Sequence, residues 1–289
     1  MLLDGLRALF RTSEQICSYA LLWEDEVVSW MRYSPTGEIL QQGVGNWQAA
    51  LKESRYKVDK VRVMAAGKKT FYGMTTGEKG SVEADIPFAS GKYQMRTVQV
   101  PEIESGSTGE FYAVACDSLI EEISKSLSTL GHRLSSLEVP ATVLARRSES
   151  LKEAADCLLQ VHIGYKYTQF LVSYRGYPYV AREIRFGLND LIEQCATHLR
   201  VSLEKASCEL QTLSVVGAGP VEPAVVKLLE QAGRTLRLFP KELKGVSVIG
   251  PGWLRGLETR FADCFGATPI FNEEQARTNA PLLTEVAES

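Results

Sequence analysis

The stretch CLLQVHIGYKYTQFLVSYRGYPYVAREIRF, residues 157–186, decides the fold. Cys157–Ile163 and Thr168–Tyr174 are apolar, β-branched and aromatic runs of strand length. Arg175-Gly176-Tyr177-Pro178 is a turn that leads into a third run over 179–186. Behind it Leu188, Leu191, Ile192, Cys195 and Leu199 recur at three- and four-residue spacing, which predicts a helix over 188–201. A second short helical stretch and a buried strand over 212–216 complete the order β-β-β-α-β.

The first half of the chain carries the same order. Runs at 15–23, 26–33 and 38–43 are of β type, with Ser34-Pro35-Thr36-Gly37 as a tight turn. A helical stretch over 47–54 and an apolar strand over 60–66 follow. Each half then ends alike. In the first, a strand at 111–115 leads to a helix at 117–130, a strand at 134–139 and a helix after Pro140, a residue suited to a first helical turn. In the second, a helix over 221–232, a strand over 235–239 and a helix over 252–265 are expected. Hairpins that become α/β units, given twice, predict two mixed sheets flanked by helices with a cleft between them. A single doubly wound sheet is the alternative. The divisions are a leader at 1–14, a first lobe at 15–155, a second lobe at 156–271 and a polar tail at 272–289. A Gly-, Ser-, Thr- and charge-rich insertion at about 67–109 contains the alternating run 93–100 and reads as a small β subdomain.

Composition narrows the function classes. The 289 residues, 45% hydrophobic and 23% charged, suffice for two lobes with their own cores. A formal charge of -3 offers no basic footprint, so nucleic acid is not an expected partner. No run of about 18 apolar residues is present to span a bilayer, and the start at Met1 lacks a secretory pattern, so a cytoplasmic location is expected. Cys17, Cys116, Cys157, Cys195, Cys208 and Cys264 are scattered, as are His132, His162 and His198, so neither a disulfide framework nor a zinc site is expected. Leu2, Leu3, Leu6, Leu9 and Phe10 share one helical face in the leader, which suits a membrane-surface or partner helix or a plain leader.

Three segments carry a resemblance. Phe111-Tyr112-Ala113-Val114-Ala115-Cys116-Asp117, continuing through Leu130-Gly131-His132-Arg133 to Val139-Pro140-Ala141, is similar to a strand, helix, Leu-Gly turn, strand and Pro-led helix of the pilus assembly family PilM. Val161-His162-Ile163-Gly164 with Ala181-Arg182-Glu183-Ile184 and Gly187 resembles that family's second phosphate hairpin and its R-E-I signature. Val215-Val216-Gly217-Ala218-Gly219-Pro220 is similar to the glycine-rich adenosine loop of actin-like folds. The resemblance to the PilM/GspL/MshI-like actin-like (ASKHA) scaffolds implies a duplicated, ribonuclease H-like α/β fold.

It also implies a function. Such scaffolds belong to the inner-membrane complexes of type IV pili and type II secretion, binding PilN-like or GspM-like cytoplasmic segments and the assembly ATPase, and meeting the membrane only through these partners. In active relatives each hairpin brings glycine N–H groups to phosphates and a carboxylate to Mg²⁺. Here no glycine lies between Gly5 and Gly37, and His162 fills the aspartate slot. A scaffold without cofactor and without catalytic or metal-binding residues is therefore expected, its cleft shallow or blocked. Gly164, Thr168, Gly217 and Gly219 are the candidates for a residual nucleotide site. The readings left open are an actin-like ATPase, which requires ATP and Mg²⁺, and a sugar- or acyl-kinase relative, for which no acidic base stands out.

Overall fold

The computed structural model describes residues 16–52, 57–75, 86–89, 91–101, 108–213, 219–270 and 283. The expected leader, most of the tail, Gly217 and the rest of 214–218 lie outside the described residues. In chain order the first half contains β1 (Ile16–Glu24), β2 (Val27–Tyr33), β3 (Ile39–Val44), α1 (Trp47–Lys52), β4 (Lys57–Ala66), β5 (Thr70–Thr75), β6 (Tyr93–Pro101), β7 (Thr108–Cys116), α2 (Asp117–Ser128), β8 (Leu134–Glu138) and α3 (Pro140–Leu151). The second contains β9 (Cys157–Ile163), β10 (Thr168–Tyr174), β11 (Tyr177–Ile184), α4 (Leu188–Leu199), α5 (Leu203–Thr212), α6 (Glu222–Leu236), β12 (Gly245–Ile249), α7 (Leu257–Phe265) and β13 (Thr268–Pro269).

Two five-stranded sheets repeat one topology. The first runs β3-β2-β1-β4-β8 and the second β11-β10-β9-β12-β13. In each, two antiparallel pairings of the opening meander give way to two parallel ones. This is a duplicated architecture, not one continuous sheet. The central strand β9 is buried along its whole length, and β1 is buried from Cys17 on. Burial on both faces is why these strands read as largely apolar runs rather than as alternating ones. The insertion forms a third sheet, β5-β7-β6.

The lobes share a core. Ala20, Leu22, Met31 and Met64 of the first sheet meet Leu171 and Ile249 of the second, with Val143 and Leu144 of α3 wedged among them. The inserted sheet spans the same seam from another side. Tyr72 and Met74 pack on the second lobe's core, and the Tyr179 hydroxyl donates to the Pro101 carbonyl.

One expected strand is corrected, and another is described only at its start. Thr212 ends helix α5 and Leu213 caps it, while 214–216 lie outside the described residues. The run 235–239 is not a strand: α6 continues to Leu236, and the chain turns at Phe239 before Pro240. Thr235 and Phe239, four apart, are buried while Leu238 is 70% exposed, which is helical rather than alternating periodicity. The parallel strand beside β9, β12, lies further on.

Candidate functional site

The opening hairpins of the two sheets meet tip to tip in the crevice. β1 and β2 are joined by the two-residue turn Asp25-Glu26. Asp25 takes a left-handed conformation, φ 54°, which a short polar side chain tolerates. β9 and β10 are joined by four residues, 164–167, closed by the Gly164 N–H donating to the Tyr167 carbonyl at 2.9 Å. Helix α4 steadies this second tip. The N–H groups of Leu188 and Asn189 donate to the carbonyls of Gly164 and Tyr165 at 2.9 and 3.1 Å, and Asp190 accepts from the Gly187 N–H at 2.9 Å.

With those carbonyls committed to the helix, three successive N–H groups of the tip converge on one acceptor from the other lobe. The Glu24 carboxylate takes Tyr165 N–H at 2.9 Å, Tyr167 N–H at 3.2 Å and, more loosely, Lys166 N–H at 3.4 Å. Glu24 is 0% exposed. Around it the Tyr167 hydroxyl donates to Asp25 at 2.7 Å, and Lys166 pairs with Glu26. Deeper in the seam Glu183 accepts from Gly67 N–H at 3.1 Å and from Gln169 Nε2 at 3.2 Å. Gln169 Oε1 therefore faces His162 Nδ1 at 2.6 Å as the acceptor, and the buried ring is the donor.

Electrostatics follow from this burial. Desolvation pushes the Glu24 carboxyl above its ordinary range, opposed by nearby His162 and the three N–H donors. Glu183 is lifted to about 7, first by burial and further by Glu24 and Asp25, while Gln169 and Gly67 resist. The Tyr165 phenol is raised by burial and by Glu24. Among the described residues no group of three or more His, Cys, Asp or Glu is arranged to hold a metal ion. The acids of the crevice are matched to donors of the protein itself.

The structure brings Gly164 and Thr168 together on the second hairpin. A Cβ at Gly164 would lie 2.2 Å from Glu24 Oε1, so glycine here makes room for the carboxylate. The Thr168 hydroxyl is buried and donates to the Phe186 carbonyl at 2.7 Å. Gly219 has open space where a side chain would project, just before α6. Sequence reading missed Glu24, Asp25 and Glu183 as crevice residues. The available signal was Glu24-Asp25-Glu26, three acids at a hairpin tip, noted there only as a place without glycine. It also missed a strand–glycine–helix turn, Ile249-Gly250-Pro251-Gly252, which follows β12. Gly250, at φ 109°, backs onto the Ile163 carbonyl, where a Cβ would approach to 2.4 Å. Its glycine thus serves close packing on the end of β9.

Three cavities flank these elements. One of about 290 Å³ lies beside Tyr165, lined by Leu188, Leu210, Leu213, Pro251 and Trp253. A second, about 600 Å³, lies between Trp23 and Trp47 on one side and Lys166 and Arg185 on the other. The third, about 510 Å³, is a groove between the inserted sheet and the first lobe. It is lined by Gln94, Met95 and Arg96 of β6, Ala113–Ala115 of β7, Ile120 of α2, and Leu137, Glu138, Val139 and Thr142 where β8 passes into α3. β6 and β8 are each the last strand of their sheets.

No family model matches the sequence, and no curated protein matches it. Solved structures do. A chain of the PilM–PilN type IV pilus biogenesis complex is similar at a TM-score of 0.71 and 18% identity, over 94% of this chain and 98% of that one. A Bacteroides thetaiotaomicron protein with an actin-like ATPase fold is similar at 0.53 and 12%, over 96% and 98%. MreB 5 of Spiroplasma citri, bound to AMPPNP, is similar at 0.59 and 12%, over 94% and 95%. The chain has the actin-like fold, and its likeness to the PilM–PilN structure agrees with the resemblance read from the sequence. No helix among the described residues is long and apolar enough to cross a membrane.

Proposed function

We propose that this chain is a docking platform of a type IV pilus or type II secretion inner-membrane complex, which holds a short cytoplasmic segment of a membrane partner and does not turn over nucleotide. The observation that carries this reading is the groove of about 510 Å³ between the inserted sheet and the first lobe. Its floor is small and apolar at Ala113, Val114 and Ala115, with Met95, Ile120 and Val139 at its sides. Such a surface accepts an extended peptide, whose main chain pairs with a strand edge while pockets choose its side chains. The PilM–PilN complex supports a PilN-like partner. A cytoplasmic location at the inner membrane, held there through partners, and contact with the assembly ATPase belong to the same proposal.

Loss of hydrolysis is supported by the crevice, where Glu24 sits on the N–H groups of the second hairpin and the Thr168 hydroxyl is committed to the Phe186 carbonyl. Fluorescence polarisation with labelled peptides from the cytoplasmic segments of PilN-like proteins tests the docking. Saturable binding is expected, weakened at least tenfold by Ile120→Glu, which puts a charge in the groove. Peptides that bind equally well to that variant, or not at all, would contradict the assignment. Melting in the presence of ATP–Mg²⁺ separates the ATPase reading, which requires a concentration-dependent rise in melting temperature.

A further inference from the structure

We propose that Glu183 is a proton-controlled latch between the lobes: while its carboxyl is protonated the seam stays shut at Gly67, and loss of the proton opens it. A chain of hydrogen bonds crosses the seam to reach this carboxyl. In the second lobe the buried His162 ring donates to Gln169 Oε1 at 2.6 Å, and Gln169 Nε2 donates to Glu183 at 3.2 Å. From the first lobe Gly67, which follows β4 where the inserted sheet begins, donates its N–H to the same carboxyl at 3.1 Å. The backbone there lies directly on the second lobe, since a Cβ at Gly67 would stand 3.0 Å from the Tyr167 hydroxyl.

The groups around the carboxyl disfavour its charge. Glu24 and Asp25 act on it from the first hairpin, and it acts in turn on Tyr72 of β5, whose hydroxyl is buried and unpartnered among the described residues. Tyr167 adjoins it on the second hairpin, Arg185, just past β11, acts on that phenol, and His162 stands behind Gln169. Both hydrogen-bond partners of Glu183 are neutral, and among the described residues no lysine or arginine forms an ion pair with it. An ionised Glu183 would therefore sit half-buried beside two other carboxylates, in agreement with its rise to about 7. An opened seam gives the carboxylate water instead. Between about 4.5 and about 7 the open form ionises while the shut form keeps its proton, so opening is favoured as pH rises through this window. Proton uptake near neutral pH thus tightens the second lobe against the root of the inserted sheet. This inference does not depend on the docking groove.

The test is amide hydrogen exchange at Gly67 in the intact chain across this window and beyond it, each rate divided by that of an unstructured peptide at the same pH. Protection is expected to fall about tenfold per pH unit up to about pH 7 and then level off. Glu183→Gln keeps an oxygen for the Gly67 N–H but has no proton to lose, and is expected to lose most of that fall. Asp25→Asn suits the left-handed turn position and removes one of the charges that hold the proton, so the levelling is expected at lower pH. This arm leaves the carboxyl itself untouched. Flat protection in the intact chain overturns the latch, as does a fall equally steep in Glu183→Gln or a levelling that stays in place in Asp25→Asn.

Discussion

The two hairpins occupy equivalent places in sheets of identical strand order, yet one ends in acceptors and the other in donors. The first has a two-residue turn flanked by Glu24 and carrying Asp25 and Glu26, while the second has four residues beginning at Gly164. Turn length makes the difference. Two residues let the strand register run to the tip and deliver Glu24 at the end of a rigid β1, whereas four allow successive peptides to turn their N–H groups outward. A duplicated fold with donor loops on both sides of its crevice must find its anion elsewhere. Here the Glu24 carboxylate of the first hairpin accepts from the N–H groups of the second.

The seam has an apolar half and a polar half, and substitutions separate them. Leu171→Ala, in the core shared by both lobes, is expected to cost about 3–4 kcal/mol in chemical denaturation. Glu24→Ala leaves three buried N–H groups without their acceptor and is expected to cost about 2–3 kcal/mol. If the two losses were reversed in size, the polar contact rather than the core would hold the lobes together.

Glu183 sharpens the comparison through pH. Its carboxyl stands near 7 in the fold against 4.5 for the free group, so the folded chain keeps a proton that the unfolded chain releases. That stabilisation is complete below about 4.5 and is lost as pH rises to about 7. Unfolding free energy is expected to decline by up to about 3 kcal/mol across this window. Glu183→Gln is expected to cut the decline to the part that Glu24, also raised, contributes; a slope as steep as that of the intact chain assigns it to another group. The smallest effect is expected at the rim, where Lys166→Ala, losing a partly exposed ion pair, costs below about 1 kcal/mol and less in high salt.

How much of this was legible depends on how local each signal is. β9 and β10 stand in the sequence at their observed bounds, because burial on both faces writes a largely apolar run. The repeat was readable for the same reason. The second lobe's first parallel strand, β12, was not. Thr-Leu-Arg-Leu-Phe at 235–239 imitates alternation, and only packing reveals it as the end of α6, whose Thr235 hydroxyl bonds back to the Gln231 carbonyl. β12 and its Gly250 turn went unread behind it. The crevice was half legible: Gly164 and His162 are marked by their hairpin, but Glu24 acquires its meaning from a tip 141 residues away.

The most direct measurement is a pH titration of the backbone amide resonances of Tyr165, Lys166 and Tyr167 by NMR in the intact chain and in Glu24→Gln. The three are expected to shift together, with one midpoint above the ordinary carboxylate range, and to lose that transition in the variant. Resonances that stay flat in the intact chain, or that still titrate without the Glu24 carboxylate, would contradict an internal ligand in the crevice.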